Sequence, residues 1–172
     1  MVNGQMSHDP LANTPRLAVS GDGAAIEYRD GNGELIWSIP VQAVVVMAEY
    51  TNPYGPHLDD YFLVFIFNEQ GQGYIREASF YSAGRDELLS ELSKRWNDDL
   101  RLGLCNSTDW KSRVIWPPQF ASREDFTFTE VPPRSFLDRL RRFCFGPTLE
   151  YSPSAAVMRH VEAVCRATPT PE

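Results

Sequence analysis

The sequence lacks most of what would place a small protein in a familiar functional class. It has three cysteines, an odd number with no CxxC spacing, so no disulfide framework is expected. Cys105, Cys144 and Cys165 read instead as buried free thiols. A zinc site needs clustered Cys and His, and His8, His57 and His160 are scattered. The longest dense apolar run is Tyr61–Phe67, against the roughly 20 residues of a membrane helix. Met1 to Arg16 has no apolar stretch behind a basic start, so it is not read as a signal peptide and a cytoplasmic protein is expected. No GxGxxG, P-loop, HExxH or GxSxG motif occurs, and no cofactor is expected. Positive charge is also scarce. Lys and Arg total 16 against 23 Asp and Glu, a net charge of −7, which repels nucleic-acid phosphate.

What is present is an apolar content of 42%, too high for a disordered chain and enough for one domain of 172 residues. Residues 1–15, rich in Asn, Gly, Ser and Pro, read as a flexible leader. From residue 16 to 81 the pattern is that of strands. Ile26 and Tyr28 alternate with Glu27 and Arg29, and Asp30-Gly31-Asn32-Gly33 is a hairpin signal. Leu35, Trp37, Ile39 and Val41 alternate next, followed by the almost wholly apolar Val44–Tyr50. Tyr61–Phe67 is apolar at every position, which predicts a central strand covered on both faces. Gly71-Gln72-Gly73 turns the chain into a last strand, Tyr74–Tyr81.

Gly84–Asn97 reads as a helix, with Gly84 at the N-cap, Asp86 and Glu87 in its first turn, and Leu88, Leu89, Leu92 and Trp96 on one stripe. Residues 98–133 read as a long aromatic and Pro-rich segment wrapped on the core, with short strands near Arg113–Trp116 and Asp125–Glu130. Two more helices are predicted. One is capped by Ser135, with Phe136, Leu137, Leu140, Phe143 and Cys144 on its stripe. The other is capped by Ser152, with Val157, Met158, Val161, Val164 and Cys165. The fold class is therefore α+β: a curved antiparallel sheet of five to seven strands, one closing helix, and a two-helix C-terminal extension (residues 98–172) packed on the 16–97 core.

The segments "LIWSIPVQAVVVM", "DDYFLVFIFNEQG", "GYIREASF" and "ELLSELSKRW" follow one another as a meander and one amphipathic helix. In this order they resemble bacterial pleckstrin-homology-like domains over residues 16–97. The resemblance implies a partly closed sheet plugged by the helix, and a binding scaffold rather than an enzyme. Family members that bind phosphoinositides carry Lys and Arg in the first hairpin turn, where this chain has Asp30-Gly31-Asn32-Gly33.

The charge is unevenly placed. Residues 1–80 carry a net −7, residues 81–133 a net −2 and residues 134–172 a net +2. The acidic strand half suggests a docking face for a basic protein partner, as in immunity or adaptor proteins. The basic half centres on Arg134, Arg139, Arg141 and Arg142, which fall off the apolar stripe of their helix. They read as a solvated face, or alternatively as a site for an anionic ligand or lipid headgroup. The densest polar loop holds Tyr54, His57, Asp59 and Asp60. It reads as a binding edge, with a hydrolase built on His57 as a further alternative. No metal is expected there, and Asp30-x-Asn32 reads as a turn rather than a calcium loop, because Val41 stands where the closing Glu belongs.

Overall fold

A computed structural model describes residues 13–53, 59–124, 126–132 and 149–167. These residues form an α+β structure of three antiparallel sheets and two helices. β1 (Arg16–Val19), β2 (Ala25–Arg29) and β3 (Leu35–Pro40) make the first sheet. A 3-10 turn at Val41–Ala43 leads into β4 (Val44–Thr51), which pairs with β5 (Tyr61–Glu69). β6 (Gln72–Ser79) extends that second sheet on one side and β7 (Lys111–Trp116) on the other, giving the order β6-β5-β4-β7. β8 (Phe126–Glu130) pairs with β9 (Leu149–Pro153) in a third, two-stranded sheet. The helices are α1 (Arg85–Trp96) and α2 (Ala155–Ala167).

The four-stranded sheet is the middle layer. All eight residues of β4 are buried, and the side chains of β5 alternate between two separate cores. Leu63, Phe65 and Phe67 meet the first sheet and α1, through Leu17, Ile26, Ile39, Leu88 and Leu92. Val64 and Ile66 meet α2 and the small sheet, through Val157, Val161, Cys165 and Phe126. The continuous apolar run Tyr61–Phe67 thus has the two-sided cover expected of it.

Local chemistry explains the helix ends. Gly84 is the N-cap of α1 at φ +80, and a Cβ there would stand 2.4 Å from the Leu17 carbonyl oxygen. Only glycine accepts both that backbone and the close approach of β1. α2 begins two residues later than expected, at Ala155. Ser152 and Pro153 are drawn into β9, and Ser154 caps instead, its hydroxyl accepting from the Val157 N–H at 3.3 Å. The aromatic β8 favours this, since Phe128 faces Tyr151 directly across the pair. α2 then lies close on the β5–β6 hairpin: a Cβ at Gly73 would come within 2.7 Å of Val161 Cγ1.

Three expectations are corrected. The strands do not form one curved sheet: the chain breaks between β3 and β4 and starts a second sheet. They do not close around a plugging helix, and α1 packs alongside β1, its Leu88, Leu89 and Leu92 entering the core shared by the first and middle sheets. The short strands expected in the 98–133 segment are present as β7 and β8, but the segment does more than wrap the core, because β7 joins the sheet next to β4. The helix expected after Ser135, with Cys144, lies outside the described residues, as do residues 1–12 of the expected leader.

Candidate functional site

β4 ends and β5 begins at one edge of the middle sheet, where the loop after β6 and the 97–110 segment also arrive. Asn52 N–H donates to Asp60 O at 2.7 Å and Phe80 N–H to Tyr61 O at 2.9 Å, tying these pieces together. Of the residues singled out in this loop, Tyr54 and His57 lie outside the described residues. Asp59 is exposed and Asp60 half-buried. Asp60 accepts the Tyr81 hydroxyl at 2.5 Å. That bond, with some burial and the Asp59 charge, pushes the Tyr81 phenol up to about 12.

Directly beneath is a buried polar knot that sequence reasoning missed. Glu49 of β4 has no solvent exposure. One carboxylate oxygen accepts the Gly103 N–H at 2.8 Å and Arg113 Nη1 at 3.2 Å, and the other accepts the Tyr61 hydroxyl. Arg113, on the neighbouring β7, also donates to the Arg101 carbonyl at 3.0 Å. Burial first, then Glu49, raises the Tyr61 phenol far above its ordinary value. The signal for this knot was available: Glu49 is the one charge within the apolar Val44–Tyr50, and a strand buried on both faces must supply that charge with partners.

Chemically the knot is a clamp on the 97–110 segment. Three donors occupy Glu49, so it is no free base. Cys105, expected to be buried like Cys165, is instead exposed, with Sγ 4.0 Å from the Tyr61 hydroxyl, but that phenol is held neutral and already donates to Glu49. A nucleophile needs an accepting base within reach, and Tyr61 does not provide one.

A second carboxylate is held on the opposite face. Glu77 accepts the Tyr50 hydroxyl at 3.0 Å and the Tyr151 hydroxyl on its other oxygen, while its carbonyl accepts the Trp37 indole N–H at 3.0 Å. Burial and then Glu77 raise both phenols. Glu77 therefore ties β6 to β4, β9 and β3. Among the described residues, no group of three or more His, Cys, Asp or Glu is placed to hold a metal ion.

The raised phenols fix a pH dependence. A phenol whose folded value lies above its unfolded value near 10 supports the fold fully below pH 10. That support is lost as pH rises through the folded value. Stability is therefore expected to fall from about pH 10 upward, following tyrosinate absorbance near 295 nm. Asp60→Asn should let Tyr81 titrate nearer 10 while Tyr50, Tyr61 and Tyr151 stay neutral. A full set of phenols titrating together near 10 in the folded protein would contradict this arrangement.

The acidic first sheet presents a different surface. Asp30 closes the β2–β3 turn, accepting the N–H groups of Asn32 and Glu34 at 2.9 Å. Those bonds, the Glu34 one foremost, hold its carboxyl below the usual range. Arg29 is engaged by Glu27 at 2.8 Å. Beyond the turn, Leu35 is 49% and Ile36 53% exposed. Arg134, Arg139, Arg141 and Arg142 lie outside the described residues. Open surface grooves among the described residues include one of about 330 Å³ between Ser20–Gly23 and Arg95 and one of about 320 Å³ between Gly71–Gly73 and α2. No family model, no curated protein and no solved structure matches the chain. No helix among the described residues is long and apolar enough to cross a membrane.

Proposed function

We propose that this protein is a non-catalytic binding module whose acidic first sheet engages a basic protein partner. The observation that carries the reading is the start of β3. Two large apolar side chains, Leu35 and Ile36, stand half in water beside the exposed Glu34 and the Asp30 turn. A soluble surface tolerates single apolar residues, but an adjacent pair next to carboxylates has the make-up of a docking patch with a polar rim. Among the described residues, the cation of this turn, Arg29, is paired with the Glu27 carboxylate, so Asp30 and Glu34 set the sign of the field there.

The test is retention on the immobilised protein at low and high salt, beside Glu34→Lys and Ile36→Ser forms. The expected partner carries net positive charge and is released at about 1 M salt, where the screening length falls to about 3 Å. Glu34→Lys should slow its association, and Ile36→Ser should speed its release. An acidic partner, or retention indifferent to salt and to both substitutions, would overturn the reading.

A further inference from the structure

The hydrogen-bond parity of the first sheet identifies what the β3 edge offers. Ser20 N–H bonds to Ala25 O at 2.7 Å, so Ala25 and Glu27 direct their backbone groups toward β1. Val41 N–H bonds to Ala24 O at 2.9 Å, so Ala24, Ile26 and Tyr28 direct theirs toward β3. Their partners Ile39 and Trp37 then face inward. Ser38, between them, turns its N–H and C=O outward, as alternation along an antiparallel strand requires.

The outer edges of β1 and β7 carry further backbone bonds, and β6 is held at one point among the described residues. Leu17 of β1 donates to the Ala83 carbonyl at 2.9 Å, Val114 of β7 accepts from the Ser122 N–H at 2.9 Å, and β6 offers its Glu77 carbonyl to Trp37. Among the described residues, no backbone bond outside the sheet involves residues 35–40. This open edge is short by construction. A register shift opposite Tyr28/Arg29 bounds it at one end, and Pro40, which has no N–H, at the other. Such devices block open-ended sheet growth while leaving room for a few residues.

We propose, building on the preceding reading, that β3 takes up a short extended lysine- or arginine-bearing segment of the partner as an added strand. It would pair at Ser38 and cover Leu35 and Ile36. Charge selects this occupant: basic side chains alternating along an added strand would meet Asp30 and Glu34, whereas a second copy, pairing antiparallel about Ser38, would set Glu34 against the uncharged Gln42 and bring these carboxylates no cation.

The probe is a capped hexapeptide of alternating lysine and valine, titrated by NMR into the millimolar range, with a copy N-methylated at alternate residues to remove its pairing N–H groups. Saturable shifts confined to residues 34–38, slowed exchange of the Ser38 amide, and at least tenfold weaker binding of the N-methylated copy are expected. Ser38→Pro should weaken the plain peptide comparably, and if that variant does not fold the N-methylated copy carries the comparison. Equal binding of both peptides would overturn strand addition while leaving a basic partner in place. Absence of binding at β3 would overturn it as well, and the salt-dependent retention above would then decide the broader reading by itself.

Discussion

Arg113→Met is expected to destabilise the protein by about 3 kcal/mol, the low end of the loss when one member of a buried ion pair is removed. Its partner Glu49 has no solvent exposure, whereas the Arg113 side chain is 23% exposed, so water screens part of the pair. Removing the guanidinium strands a carboxylate between two packed layers with only the Gly103 N–H and Tyr61 hydroxyl as donors. It also frees the Arg101 carbonyl, loosening the 97–110 segment. For a domain of this size the midpoint of thermal unfolding should drop by about 6–12 °C. The double variant Glu49→Leu with Arg113→Met should recover much of that loss, because replacing both charges by apolar groups removes the unpaired carboxylate. Urea unfolding of the three proteins checks both statements. A single variant within about 1 kcal/mol of the parent would show that Glu49 does not depend on this pairing.

Phe65→Ala is expected to remove about 3–5 kcal/mol. Phe65 sits at the centre of β5, fully buried, with its ring centroid 5.8 Å from that of Trp37. It joins the first sheet, α1 and the middle sheet in one cluster, so its removal leaves a cavity bounded by three elements that cannot all close on it. Val64→Ala, one residue along on the opposite face, removes two methyl groups from the α2 side and should cost less. If denaturant unfolding shows the two substitutions equal, the Phe65 ring does not hold its three elements together as its packing implies.

The sequence by itself determined the elements whose cause is local. Alternation gave β2 and β3, the Asp30 turn gave their hairpin, and the apolar stripe with Gly84 gave α1. The unbroken run Tyr61–Phe67 announced a strand covered twice, since water tolerates so many adjacent apolar side chains nowhere else. Of the candidate site, Asp60 was legible as part of a polar loop, but its partner Tyr81 was not, because 21 residues separate them. Glu49 was visible as a charge out of place, and Arg113, 64 residues away, could not be assigned to it from spacing.

Tertiary structure alone decided which strands share a sheet. The break between β3 and β4, the return of β7 to lie beside β4, and the pairing of β8 with β9 across 130–149 all join residues remote in the chain. Periodicity reports which side of a strand is apolar and is silent about which apolar surface will cover it. The segmental charge followed the same division. The sequence placed seven net negative charges on residues 1–80, and the fold then withdrew Glu49 into the core, gave Glu77 to two tyrosines and paired Glu27 with Arg29. What remains outside at the first sheet is Asp22 in the β1–β2 turn and the pair Asp30 and Glu34 in the β2–β3 turn, because burial and pairing are properties of neighbours that only folding brings together.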